Sequence, residues 1–135
     1  MRFLEWNEGM RVDVADVDQQ HQQLVRMIGA LGDAMAAGAS HEVMGETIAG
    51  LIDYTRTHFA TEEAYFDRYG YPEADAHKAQ HQDFVGRVED FKRGFDEGRL
   101  FLSLDVMDFL GQWLIEHIQG SDKEYGPFLN ERGVN

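Results

Sequence analysis

The chain contains no cysteine. Disulfides, iron–sulfur clusters and thiolate zinc sites are therefore excluded, and nitrogen and oxygen remain as the metal-binding atoms. Prolines number two, Pro72 and Pro127, and both fall between helical patterns. Basic residues are scarce: 12 Lys and Arg stand against 25 Asp and Glu, for a net charge of -13. That balance excludes nucleic acid as a partner, because its binding needs basic patches, and it disfavours anionic membrane surfaces. No apolar run approaches the roughly 18 residues of a spanning helix. Glu5 and Glu8 interrupt the N-terminus, so no signal segment is read there and a cytoplasmic location is expected. Linkers, low-complexity segments and internal repeats are also missing, and 135 residues make one domain with a real core.

What is present is helical periodicity. Four helices are expected, over about 18–37, 41–68, 73–97 and 103–120, with an irregular arm over 1–17 and a short C-terminal piece over 122–131. Ser40 and Ser103 stand at N-cap positions, and Gly38, Gly70 and Gly98 follow the first three helices. Pro72 suits the first turn of the third helix. In the arm, Phe3, Leu4, Trp6, Val12, Val14 and Val17 are apolar and should pack on the rest. Long helices joined by short loops lie antiparallel to their sequence neighbours, so the fold class is all-α: an antiparallel up-down-up-down four-helix bundle.

Each helix has an inward stripe at steps of three and four. The first reads His21, Leu24, Ile28, Leu31, Met35, and the second Met44, Ile48, Leu51, Thr55, His58, Glu62, Tyr65, Tyr69. The third reads His77, His81, Phe84, Val88, Phe91, Phe95, and the fourth Val106, Leu110, Trp113, His117. Metal-binding side chains thus occupy apolar stripes on all four helices. A buried imidazole or carboxylate without a partner costs several kcal/mol, and metal coordination supplies the compensation.

Depth agrees with this reading. His21 starts the first helix, His58 and Glu62 end the second, His77 and His81 start the third, and His117 ends the fourth. In an up-down-up-down bundle those four ends meet. His58 and Glu62 are four apart, as are His77 and His81, so each pair shares a helix face. His117 and Asp122 are five apart, which an ideal helix sets about 140° apart. A π-type widening or a helix end is therefore expected between them, and Gly120 eases it. Glu63 falls off the stripe and reads as solvated. His41 lies at the opposite end and reads as exposed. Tyr65, Tyr69, Phe84, Phe91 and Phe95 read as core, and Trp113 as core and pocket wall together.

The segments Asp18-Gln-Gln-His21, His58-Phe-Ala-Thr-Glu62, His77-Lys-Ala-Gln-His81 and His117-Ile-Gln-Gly-Ser-Asp122 resemble the hemerythrin family, in its single-domain bacterial form. The likeness spans the whole chain, from Trp6 to the Asp122-Lys-Glu-Tyr125-Gly end, and every ligand position is filled. It implies two iron ions, a non-haem oxo- or hydroxo-bridged di-iron centre that binds O2 reversibly. His77, His81 and His117 would hold one iron, His21 and His58 the other, and Glu62 and Asp122 would bridge them. With a hydroxide bridge, these ligands leave one of about twelve octahedral positions open, at the two-histidine iron. Leu24, Phe59, Trp113, Leu114 and Ile118 would wall the O2 pocket around it.

The function expected is that of an oxygen carrier, store or delivery protein, not an enzyme, with O2 as ligand. An O2-consuming enzyme or an electron donor is its natural protein partner. The alternatives are a di-iron redox enzyme reducing peroxide or nitric oxide, and an O2 or redox sensor acting through a separate partner. The Glu-x-x-His motifs of ferritin-like oxidases are missing, which favours the carrier. With every apolar stripe used inside one bundle, a monomer is expected.

Overall fold

The computed structural model describes residues 4–135, so the packing expected of Phe3 lies outside the described residues. Five α-helices follow in order: α1 (Ala15–Ala36), α2 (His41–Tyr69), α3 (Ala74–Asp96), α4 (Leu104–Glu116) and α5 (Lys123–Asn130). A π-helical segment, His117–Asp122, joins α4 to α5 without a break. The first four helices form the antiparallel bundle expected of the pattern, and α5 is the short C-terminal helix.

The helix ends follow local chemistry. Ser40 accepts a hydrogen bond from the Val43 N–H at 3.1 Å, and Ser103 accepts one from Val106 at 3.3 Å, satisfying orphan donors at the starts of α2 and α4. At the end of α2, Gly70 takes a left-handed conformation at φ 68°, where a side chain would be strained. The fourth helix gives way to the π segment after Glu116 rather than running to 120, and two helix starts also differ from the sequence pattern. The first is α1, which starts at Ala15 because Asp16 and Asp18 suit the positive end of the helix dipole. The second is α3, which starts at Ala74, with Pro72 in the turn before it, where the Ala74 N–H bonds the Tyr71 carbonyl at 3.1 Å. Pro127 lies inside α5, where it lacks one backbone donor.

The core divides along the bundle axis. One half is apolar, with Ile28, Leu31, Ile48, Leu51, Val88, Phe95, Met107 and Leu110 all buried. The other half holds every buried histidine and carboxylate among those described: His21, His58, Glu62, His77, His81, His117 and Asp122. Thr55 stands near the boundary and satisfies its hydroxyl on the Leu51 carbonyl at 2.7 Å. In α2 the buried stripe ends at Phe66 rather than at Tyr65 and Tyr69, which are half-buried. Phe66 packs edge-on to His77 and Tyr125 at 4.9 and 5.2 Å. Tyr65 instead gives its hydroxyl to Asp16 at 2.6 Å, a bond that pushes its pKa up to about 12.

The N-terminal arm closes the polar end. Leu4, Met10, Val12 and Val14 are buried, and the Asp18 carboxylate accepts from the Val12 N–H at 2.8 Å and the Asp13 N–H at 3.2 Å. Asn130 of α5 ties the Asp13 carbonyl at 2.9 Å. The arm runs so close to α5 that a Cβ at Gly126 would sit 2.5 Å from the Val12 carbonyl oxygen. This contact makes a test of the arm. Gly126→Ala gains about 1 kcal/mol of helix propensity, but overpacking against backbone costs about 1–3 kcal/mol, so a net loss of stability is expected. Gly29→Ala in α1, where nothing lies within 4 Å, should keep the gain. Urea melts of the two variants check this; equal stabilisation by both would show that the arm yields freely.

Candidate metal centre

Four elements deliver the site. α1 brings His21, α2 brings His58 and Glu62, α3 brings His77 and His81, and the π segment brings His117 and Asp122. The π segment answers the five-residue spacing: the Lys123 N–H reaches back to the Ile118 carbonyl, and the widened turn puts His117 and Asp122 on one face. His117 Nε2 lies 3.1 Å from Asp122 Oδ1.

The ligand-type atoms gather as two groups that share both carboxylates. One group is Glu62, His77, His81, His117 and Asp122; the other is His21, His58, Glu62 and Asp122. Within each group the candidate donor atoms lie within 4.8 Å of one another. Asp122 faces both groups: Oδ2 lies 3.0 Å from His21 Nε2, while Oδ1 lies 2.9 Å from His77 Nε2. Glu62 Oε1 also faces both, at 3.1 Å from His58 Nε2 and 3.4 Å from His81 Nε2. Its other oxygen accepts the Tyr125 hydroxyl, which burial and both carboxylates push well above its ordinary pKa and so keep protonated.

The outer ring nitrogens fix how the imidazoles present themselves. His58 Nδ1 donates to Gln20 Oε1 at 2.7 Å, His117 Nδ1 to Gln80 Oε1 at 3.0 Å, and His81 Nδ1 to Glu63 Oε2 at 2.9 Å. The orientation of Gln20 is set by its own amide nitrogen, which donates to Thr61 Oγ1 at 3.2 Å. Gln80 Oε1 also accepts from Ser121 Oγ at 2.8 Å, pinning the π segment to α3. With Nδ1 carrying the proton, a neutral ring points the Nε2 lone pair inward. His81 Nε2 and His117 Nε2 stand only 3.2 Å apart, so two lone pairs face each other across a space suited to a cation.

The residues pass a direct test of fit for a metal. Six buried atoms have no hydrogen-bond partner: both nitrogens of His21, Glu62 Oε1, His77 Nε2 and both oxygens of Asp122. At about 1–3 kcal/mol for each unsatisfied buried group, the cost is on the order of the whole stability of a domain this size. Cations held between the two groups would satisfy five of the six atoms, leaving only His21 Nδ1, and an all-nitrogen-and-oxygen donor set suits iron, manganese or zinc. Burial raises both carboxylates, but their surroundings win. Glu62 is pushed up by burial and by Asp122, yet the neighbouring imidazoles of His58 and His81 hold it down at about 2. Asp122 is held well below its ordinary value by His117, His21 and His77. Both therefore stand ready as anionic ligands.

The five expected wall residues divide. Leu24, Phe59, Leu114 and Ile118 are buried, and Trp113 is half-buried. Phe59 stacks on His81 with centroids 3.6 Å apart, and Trp113 stacks on His117 at 4.4 Å. Their rings thus lie flat against the three-histidine group, and Phe59 meets His58 only at 5.8 Å. His41 is exposed, as expected, and stacks on Phe95 at the far end. Glu63 corrects the sequence reading. It is one-third exposed but binds a ligand-type histidine, because its position off the stripe faces the neighbouring α3 rather than water alone. Gln20, Gln80 and Tyr125 also escaped that reading. The two glutamines flank stripes, next to His21 and His81, whereas Tyr125 lies in the C-terminal piece three residues after Asp122, where no stripe runs.

Comparison with known proteins agrees with this geometry. The hemerythrin HHE cation-binding domain matches residues 12–129. A bacteriohemerythrin of Methylococcus capsulatus is 34% identical over 131 residues, covering 96% of this chain and 99% of its own. One from Stenotrophomonas maltophilia is 34% identical over 93% of this chain and 80% of its own. A crystal structure of wild-type hemerythrin superposes with a TM-score of 0.87 at 34% identity, covering 92% of this chain and 95% of its own. On sequence and fold alike, the chain belongs to the hemerythrin family.

Proposed function

We propose that this protein binds O2 reversibly at a pair of iron ions, as a carrier, store or delivery protein rather than an enzyme. His77, His81 and His117 would hold one ion, His21 and His58 the other, with Glu62 and Asp122 shared. One observation carries the reading above all: Asp122 turns one oxygen to each histidine group, the arrangement a bridging carboxylate needs. Iron bound there supplies the electrons that reversible O2 binding draws on and returns. Three histidines would serve one ion and only two the other, so a small ligand would be taken up on the side of His21 and His58.

The chain's own part is to hold the ligands and keep water out. Gln20, Gln80 and Glu63 lock the outer ring protons, so that Nε2 is the ligand atom on His58, His117 and His81. The buried side chains of Leu24, Leu114 and Ile118 carry no acid or base and bring no proton inward. Release of oxygen at the peroxide level needs protons, so an apolar wall favours return of intact O2. No helix among the described residues is long and apolar enough to cross a membrane, which suits a freely diffusing carrier.

The deciding experiment is an anaerobic-to-air optical titration of the iron-loaded, dithionite-reduced protein. Visible charge-transfer bands should appear with O2 and vanish on its removal over repeated cycles. Irreversible conversion to a ferric spectrum in the first cycle, with peroxide consumed or released, would replace the carrier with a redox enzyme at the same residues. The wall has its own test. Leu114→Ala should cost about 2–5 kcal/mol of stability and accelerate autoxidation of the oxygenated protein, because the truncation admits water. An unchanged autoxidation rate would remove Leu114 from the pocket wall.

A further inference from the structure

Three of the inward-facing histidines have a described partner on Nδ1, and the partners differ in charge. His58 and His117 donate to the neutral amide oxygens of Gln20 and Gln80. His81 donates to a carboxylate, Glu63 Oε2, at 2.9 Å. His21 Nδ1 is buried with no partner. Among the described residues, Glu63 is therefore the one anion bonded to the outer nitrogen of a ligand-type ring, and it acts on the three-histidine group alone.

Among the described residues no Lys or Arg forms an ion pair with it: Arg56 pairs with Glu89, and Lys78 pairs with Asp67 at 2.7 Å, although the Lys78 ammonium still feels the Glu63 charge. Glu63 lines a cleft of about 360 Å³ between α2 and α3, and Phe59, stacked on His81, forms its floor. The carboxylate is about one-third exposed at the cleft, and its Oε2 takes the bond from the imidazole proton. A ring whose proton is shared with an anion donates more strongly through its other nitrogen. Stronger donation, with a negative charge one ring away, favours ferric over ferrous iron.

We propose that Glu63 is a positioning residue with an electronic effect. It holds His81 in the tautomer that ligates through Nε2, and it lowers the reduction potential of the three-histidine ion relative to its two-histidine partner. The couple concerned takes one electron per ion, ferric to ferrous, and no proton passes through Glu63. The inference rests on the di-iron reading and adds to it an inequality between the two ions set outside the ligands.

The test uses the full chain with Glu63→Gln and Glu63→Leu. Glu63→Gln keeps an acceptor of the same length, like the one Gln80 offers His117, and removes only the charge. Glu63→Leu removes both. Mediated potentiometric titration of the iron-loaded proteins should show Glu63→Gln raising one of the two midpoint potentials. A tenfold loss of ferric preference would read as 59 mV for this one-electron couple. In chelator competition, Glu63→Gln should hold iron nearly as well as the parent, and Glu63→Leu should lose about 10–100-fold in affinity. In the metal-free proteins, NMR should find the His81 Nδ1 proton retained by Glu63→Gln and lost or shifted in Glu63→Leu, which serves as a readout without iron. Potentials unchanged in Glu63→Gln would overturn the electronic role, and an unchanged His81 proton in Glu63→Leu would overturn the positioning role. A parent protein that fails to take up iron would instead sink the di-iron reading, and this inference with it.

Discussion

The constraint on which the structure depends is the burial of five imidazoles and two carboxylates in one layer of a helical bundle. Left alone, that layer would cost on the order of the stability that the rest of the fold supplies. Its neighbours satisfy only its outer edge: Gln20, Glu63, Gln80 and Tyr125 take the atoms that face away from the centre. The inward atoms stay unpaired and point at one another. The apolar half of the bundle, from Ile28 to Leu110, must therefore hold the helices in register before any ion arrives. A small protein can carry such a layer because its long helices bury a continuous stripe beyond it.

The π segment is where the two demands meet. An α-helix continued through His117 would turn Asp122 away from the centre, toward α5 or solvent. The wider turn costs helical regularity over Ile118–Ser121, and it returns a carboxylate that faces both histidine groups at once. Ser121 and Gln80 then tether the widened turn to α3, so the deviation is held by the same residue that orients His117. The irregularity of the backbone and the symmetry of the site have one cause.

Much of this was legible in the residues. Short loops between long helices specified the bundle's topology, and histidines in apolar stripes at matching depths specified the end at which they meet, since antiparallel neighbours bring the start of α1 and the end of α4 together. The five-residue step from His117 to Asp122 announced a widened turn. What the pattern could not show lay off the stripes. Glu63 follows the same helix turn as Glu62, and periodicity alone sends it outward; only the closeness of α3 turns that outward direction into a contact with His81. Phe66 displaced Tyr65 and Tyr69 from the core for a similar reason, because α5 covers that end of α2 through Tyr125 and the first turn of α1 offers Asp16 to the Tyr65 hydroxyl. A repeat of three and four describes one interface, whereas α2 here has a second one.

That second interface also explains why the arm and α5 belong to the fold rather than decorate it. The polar layer lies at the open end of the four long helices, where an ordinary bundle would admit water between them. Leu4, Met10, Val12 and Val14 from one terminus and Tyr125 and Leu129 from the other close that end with buried side chains. The closure is tied by Asp18 and Asn130 to backbone atoms of the arm. Exclusion of water at the histidine layer thus rests on two short segments outside the periodic helices, and on Gly126, whose missing side chain lets them touch. Metal-binding chemistry is written in the stripes, but the dryness it requires is supplied by the parts of the chain that have no stripe.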